Sequence, residues 1–135
     1  MKPNIMLVDD SVRVLKSLQW IFMDEPYQLF AFNDPSDALS IIKTLEWSVV
    51  IAEQSMQKMS GIEFLKKVLA DSPHTVGIIM TTYNEFAEVL DALYPGCVYE
   101  FIKKPIDINE IKHAVKSAIT HYELNLERKR PTVKY

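Results

Sequence analysis

Four short groups of polar residues in this chain have the chemistry to handle a phosphoryl group. Asp9 and Asp10 form an adjacent carboxylate pair, and Glu53 supplies a third carboxylate. Thr81 and Thr82 supply hydroxyls, and Lys103 and Lys104 supply ammonium groups just before Pro105. Clustered carboxylates repel one another unless a cation neutralises them. Hard oxygen ligands of this kind suit Mg²⁺, which keeps several waters and takes one or two carboxylates. A hydroxyl and an ammonium on the opposite side can bind the remaining oxygens of a phosphoryl group. Taken singly, each group is ordinary. An Asp pair after a strand serves as a helix N-cap, Thr-Thr ends a strand, Lys-Pro makes a surface turn, and a lone Glu is solvated. Their meaning depends on whether the fold brings them together.

Each group follows a strand-like run. Residues 5–8 are wholly apolar, which suits a strand buried on both faces of a parallel sheet. From Ser11 the period becomes helical, through Val14, Leu15, Leu18, Ile21 and Phe22. Residues 27–32 form a second strand, and Asp34-Pro35-Ser36-Asp37 reads as a helix start with Asp34 at the N-cap, leading to Ala38, Leu39, Ile41, Ile42 and Leu45. Residues 48–52 form a third strand. A loop from Glu53 to Ser60 leads into a helix carrying Ile62, Leu65, Val68 and Leu69. Residues 76–80 and 98–102 are the fourth and fifth strands, separated by a helix with Phe86, Val89, Leu90 and Leu93. Asp107-Ile108-Asn109-Glu110 resembles a capping box and opens a long last helix through Tyr122. Five such alternations predict an α/β fold, a doubly wound parallel sheet with five helices on its two faces. In the strand order 2-1-3-4-5, strands one, three, four and five are neighbours. Ligands then bind beyond their carboxyl ends, where all four polar groups lie.

Length and composition set the bounds. The chain has 135 residues, nearly half of them apolar, enough for one globular domain. A net charge of −3 gives no reason to expect nucleic-acid binding. The single cysteine, Cys97, excludes an internal disulfide and a cysteine-rich zinc site. No apolar run reaches membrane-spanning length and no signal-peptide pattern is present, so a soluble cytoplasmic protein is expected. After about Glu123 the chain turns polar and basic. We therefore expect a domain over residues 4–123, followed by a helix end and solvated linker over 124–135.

With these residues in view, the sequence resembles the receiver domains of two-component response regulators, from about residue 4 to residue 122. Leu7-Val8-Asp9-Asp10-Ser11 is similar to the family's metal-binding acidic pair, and Met59-Ser60-Gly61 to the end of its phosphoacceptor loop. The resemblance implies a flavodoxin-like fold, with Thr81 as the switch hydroxyl and Phe101 as the switch aromatic. It also implies that Lys104 contacts the phosphoryl group, with a Lys–Pro bond that is commonly cis. Val98-Tyr99-Glu100-Phe101 and Tyr122-Glu123-Leu124 are similar to two kinds of receiver. One kind precedes HD-type cyclic-dinucleotide phosphodiesterase domains, and the other belongs to activators of hydrogenase genes. The resemblance further implies weak Mg²⁺ binding, with Asp10, Glu53 and the Ser55 carbonyl as direct ligands and Asp9 acting through water. The implied partners are a sensor kinase or an output domain or protein. Pairing of two receivers is also implied, through the fourth helix, fifth strand and fifth helix, near Tyr83, Phe86, Tyr94 and Tyr99.

Two positions depart from the family. Glu53 stands at the phosphoacceptor position, normally aspartate, and Gln57 stands where proline is usual. The extra methylene of Glu53 carries its carboxylate about 1.5 Å further out. In-line attack tolerates little such displacement. Glu53 also brings one negative charge, against nearly two for a phosphoryl group. The expectation is a non-enzymatic signalling module that is poorly phosphorylated or independent of phosphorylation. The alternative is a conventional receiver carrying a phosphomimetic substitution. A flavin-binding electron carrier is disfavoured, because Asp9 and Asp10 repel an anionic phosphate. An aspartate-nucleophile phosphatase lacks its Asp-x-Asp spacing, since Ser11 and Val12 follow Asp10.

Overall fold

Alternating strands and helices assemble around one sheet in the computed structural model, which describes residues 2–82, 87, 90 and 96–129. The order is β1 (Asn4–Val8), α1 (Val12–Ile21), β2 (Gln28–Phe32), α2 (Pro35–Ser40), β3 (Val49–Glu53), α3 (Gly61–Asp71), β4 (Val76–Thr81), β5 (Glu100–Lys103) and α4 (Ile108–Lys129). The sheet order is β2-β1-β3-β4-β5, and every pair is parallel. This is the expected doubly wound arrangement. Four helices lie among the described residues. The expected helix through Phe86, Val89 and Leu93 falls outside them.

Strand periodicity explains the two cores. Ile5, Leu7, Val49, Ile51, Ile78 and Met80 point to one face, where they pack against α1 and α4. Met6, Val8, Val50, Ala52 and Ile79 point to the other, against Ala38 of α2 and Phe64, Leu65 and Val68 of α3. The central strands are apolar throughout because both faces are covered.

Caps begin the helices where the sequence places them. Asp34 accepts a hydrogen bond from the Ser36 N–H at 2.8 Å, and Asp107 accepts one from the Glu110 N–H at 2.9 Å. Ser60 caps α3 by accepting from the Glu63 N–H at 3.1 Å. The Ser60-x-x-Glu63 spacing is a capping-box signal that the sequence reading did not use.

Three expectations change. The second helix stops at Ser40 rather than reaching Leu45. Beyond it the Ile42 N–H bonds to the Leu39 carbonyl and the Thr44 N–H to the Ile41 carbonyl, which are tight three-residue turns. Strands three, four and five extend to Glu53, Thr81 and Lys103, because the ladder continues through Glu53 opposite Met80 and Thr81 opposite Lys103. Glu53 is thus a strand residue, not a loop residue. Finally, β5 begins at Glu100 rather than at residue 98, and α4 runs to Lys129, within the stretch expected to hold the helix end.

Of the aromatics expected at a partner surface, Tyr83, Phe86 and Tyr94 lie outside the described residues. Tyr99 is tied inward. Its hydroxyl shares a 2.7 Å hydrogen bond with Ser117, and its ring stacks on His121 at 4.8 Å. No helix among the described residues is long and apolar enough to cross a membrane.

Candidate functional site

The carboxyl edge of the sheet brings Asp9, Glu53, Thr81 and Lys104 together, as their places after β1, β3, β4 and β5 require. Asp9 follows β1 and is 2% exposed. Its backbone N–H continues the sheet by donating to the Phe32 carbonyl at 3.1 Å. One carboxylate oxygen accepts from the Ser11 N–H at 2.8 Å, and Ser11 in turn caps α1 by accepting from the Val14 N–H. Asp9 therefore does both things its sequence position allowed. It orders the entry to a helix with one oxygen and presents the other to the site.

Lys104 reaches that second oxygen. Its backbone N–H is held by the Thr81 carbonyl at 2.9 Å, and the Lys104–Pro105 bond is cis. The ammonium Nζ lies 3.2 Å from Asp9 Oδ2 and 3.0 Å from Glu53 Oε2. Glu53 is 6% exposed. One cation thus bridges two buried carboxylates. Burial alone disfavours the ammonium's charge. Hydrogen bonding and attraction from Glu53, followed by those from Asp9, outweigh it and raise the Lys104 pKa above its ordinary value.

The remaining expected residues are placed differently. Asp10 is exposed, and its Oδ2 accepts a hydrogen bond from the backbone N–H of Gln57 at 2.9 Å. Ser55 is exposed on the loop after β3. Thr81 is fully buried, and its hydroxyl donates to the Thr82 carbonyl at 3.1 Å. A hydroxyl has a single proton, so Thr81 does not also donate to Glu53. Phe101 is half-buried and packs on the α2–α3 side of the sheet.

Gln54 was not singled out from the sequence, yet it organises the loop. Its backbone N–H donates to the Met80 carbonyl, its carbonyl accepts from the Gly61 N–H, and its side-chain oxygen accepts from the Ile62 N–H at 3.1 Å. Lys58 pairs with Asp34, so the same loop is also tied to the start of α2. Nothing short-range marks Gln54, since its partners come from β4 and α3.

Receiver domains generally bind Mg²⁺ at the phosphorylation site. Among the described residues, no group of three or more His, Cys, Asp or Glu is placed to hold a metal ion. The carboxylates expected to do so are engaged by Lys104 and by the Gln57 N–H, partners that a bound cation would have to displace.

The profile of the response regulator receiver domain matches residues 5–116. Sporulation initiation phosphotransferase F of Bacillus subtilis is 33% identical over 116 residues, covering 86% of this chain and 93% of that protein. The hydrogenase transcriptional regulatory protein HoxA of Bradyrhizobium diazoefficiens is 28% identical over 92% of this chain. The chain spans about a quarter of the length of HoxA, and likewise of the NtrC of Proteus hauseri. Among solved structures, the signal receiver domain of an HD domain-containing protein from Pseudomonas fluorescens superposes with a TM-score of 0.87 at 28% identity. That match covers 94% of this chain and 93% of the other. The matched profile covers most of the chain: this chain belongs to the response regulator receiver domain family of two-component signalling.

Proposed function

We propose that this receiver signals through protein contacts without depending on stable phosphorylation, the Lys104 ammonium of its site being already paired with Asp9 and Glu53. Receiver domains of response regulators interact with kinases and output domains, and this domain is read as engaging such partners. The observation that carries the reading is the position of the Lys104 ammonium, within 3.2 Å of both Asp9 and Glu53. The cation that would meet an incoming phosphoryl group is already neutralised. Glu53 also fills space ahead of the usual acceptor, where in-line attack tolerates little displacement. The phosphomimetic reading gains from the same ion pair but loses at Thr81, whose proton goes to the Thr82 carbonyl rather than to Glu53.

Incubation with acetyl phosphate or phosphoramidate and Mg²⁺, followed by intact-mass measurement, tests the proposal. The native chain is expected to gain no stable phosphoryl group, whereas stoichiometric labelling of Glu53 would overturn it. Glu53→Asp is expected to label slowly, and faster with Gln57→Pro added. Proline has no N–H, so it cannot donate the hydrogen bond that now holds Asp10. If the double variant folds yet stays unlabelled, the site has lost more than its nucleophile.

Mg²⁺ must displace Lys104 from Asp9 and Glu53 and compete with the Gln57 N–H for Asp10. Its proposed ligands are Asp10, Glu53 and the Ser55 carbonyl, with Asp9 through water. Calorimetry is expected to show weak binding that Asp10→Ala removes. Equal binding by both proteins would exclude Asp10 as a ligand.

A further inference from the structure

The loop between β3 and α3 is held as a strap across the carboxyl ends of two other strands. Its own ends are fixed. The Gln54 N–H donates to the Met80 carbonyl at 2.8 Å, and the Gly61 N–H donates to the Gln54 carbonyl at 3.0 Å. Between them, two adjacent residues reach outward. The Gln57 N–H donates to Asp10 Oδ2 at 2.9 Å, and the Lys58 ammonium donates to Asp34 Oδ2. The sheet order β2-β1-β3 accounts for the reach. Asp10 follows β1, the neighbour of β3, and Asp34 lies past β2, one strand further out. Asp34 divides its oxygens: Oδ1 caps α2 by accepting from the Ser36 N–H, and Oδ2 takes Lys58. Asp37, in the first turn of α2, adds attraction for the same ammonium.

We propose that the Lys58–Asp34 pair is a latch that keeps the Gln57 N–H on Asp10, and so sets how readily a cation reaches Asp10. Neither clasp is strong alone. The Lys58 and Asp34 side chains are 56% and 29% exposed, so theirs is a modest surface pair. Gln57 and Asp10 are exposed as well, and water competes for their hydrogen bond. The two clasps are joined by one planar peptide, however. Whichever forms first removes loop freedom that the other would otherwise have to restrict, so each strengthens the other. Such coupling is reciprocal. A cation that takes Asp10 from Gln57 loosens Lys58 from Asp34, and occupancy of the site is then felt at the start of α2. The cation half of the proposal rests on Asp10 being a Mg²⁺ ligand; the latch itself does not.

Water-exchange NMR of the Gln57 amide, without metal, tests the latch. Asp34→Asn keeps a capping side chain, and Lys58→Gln changes an exposed one, so both variants should fold. Exchange is expected to quicken about threefold in Lys58→Gln, the scale of a surface ion pair, and about twofold in Asp34→Asn, where Asp37 still attracts Lys58. Asp10→Ala should quicken it further. Lys43→Gln, which breaks the exposed Lys43–Asp71 pair, should leave it unchanged. Calorimetric titration with Mg²⁺ then tests the consequence. Both latch variants should bind Mg²⁺ more tightly, by the same factors. The shared direction is decisive, because loss of charge alone would strengthen binding in Lys58→Gln and weaken it in Asp34→Asn. Gln57 exchange that is unchanged in both variants would overturn the latch. Quickened exchange with Mg²⁺ affinities moving in opposite directions would overturn its link to Asp10. Quickened exchange with no Mg²⁺ binding by any form would uphold the latch and overturn the Mg²⁺ ligand set.

Discussion

Replacing Lys104 with alanine is expected to destabilise the folded domain by about 3 kcal/mol, because it leaves two buried carboxylates facing each other without their cation. Asp9 and Glu53 are 2% and 6% exposed, so water screens them little. The Lys104 side chain retains 23% exposure, which places the loss toward the lower end for a broken buried pair. For a domain of this size that loss corresponds to a fall of about 10 °C in Tm. Thermal unfolding of Lys104→Ala beside Lys104→Met separates charge from packing. Both variants remove the cation, but methionine keeps most of the apolar stem. Similar losses in the two point to charge. Millimolar Mg²⁺ is expected to restore stability to Lys104→Ala more than it stabilises the native chain, since the vacated charge position then accepts a cation. A Tm within a degree or two of native would mean that the two carboxylates do not need Lys104.

Gly61→Ala is expected to destabilise the domain by about 2 kcal/mol, and its sign makes it informative. Gly61 is the first residue of α3 with an ordinary backbone conformation. Helix propensity alone therefore predicts a gain of up to about 1 kcal/mol from alanine. An added Cβ, however, would stand 2.5 Å from the Glu53 carbonyl oxygen and 2.9 Å from Ile79 Cδ1. The first of these is backbone at the end of β3 and cannot rotate away, so α3 and the Glu53 strand end must separate. The comparison is Gly77→Ala, whose Cβ would meet the buried Leu65 side chain, at 2.6 Å from Cδ1, 2.8 Å from Cδ2 and 3.2 Å from Cγ. A side chain can shift where the strand backbone cannot, and a smaller loss is expected. Urea denaturation measures both. A Gly61→Ala variant as stable as native would show that the approach of α3 to Glu53 is loose.

The sheet was legible in the sequence because its strands are short apolar runs that each end in a polar residue. The convergence of Asp9, Glu53, Thr81 and Lys104 followed from strand order alone. Strand ends were less legible. Glu53, Thr81 and Lys103 are polar residues that remain in the ladder because their neighbours hold the register, and no local propensity reports that. The second helix was overextended because Ile41, Ile42 and Leu45 keep helical spacing even though the backbone tightens after Ser40. The distribution of charge within the site was not legible either. Residue types alone grouped Asp9, Asp10 and Glu53 as metal ligands. The backbone N–H of Gln57 takes Asp10, and the length of Lys104 lets one ammonium serve the other two. Both outcomes depend on distances between segments remote in sequence. Gln57 was visible as a departure from the family, but the consequence of regaining an N–H at that position needed the fold.

The claim that Lys104 is the internal counter-charge of this site is tested most directly by titrating its ammonium, with NMR following the Nζ and Cε signals. Attraction from Glu53 and Asp9 raises its pKa, so it should lose its proton above the ordinary lysine value of about 10.4. Because the folded value lies above the unfolded one, the pair's contribution to stability is fully present below about pH 10 and declines only as pH rises through the folded value. Glu53→Gln should move the titration of Lys104 downward while leaving the exposed lysines in place. A Lys104 that titrates at or below the ordinary lysine value, and does not respond to Glu53→Gln, would contradict the account.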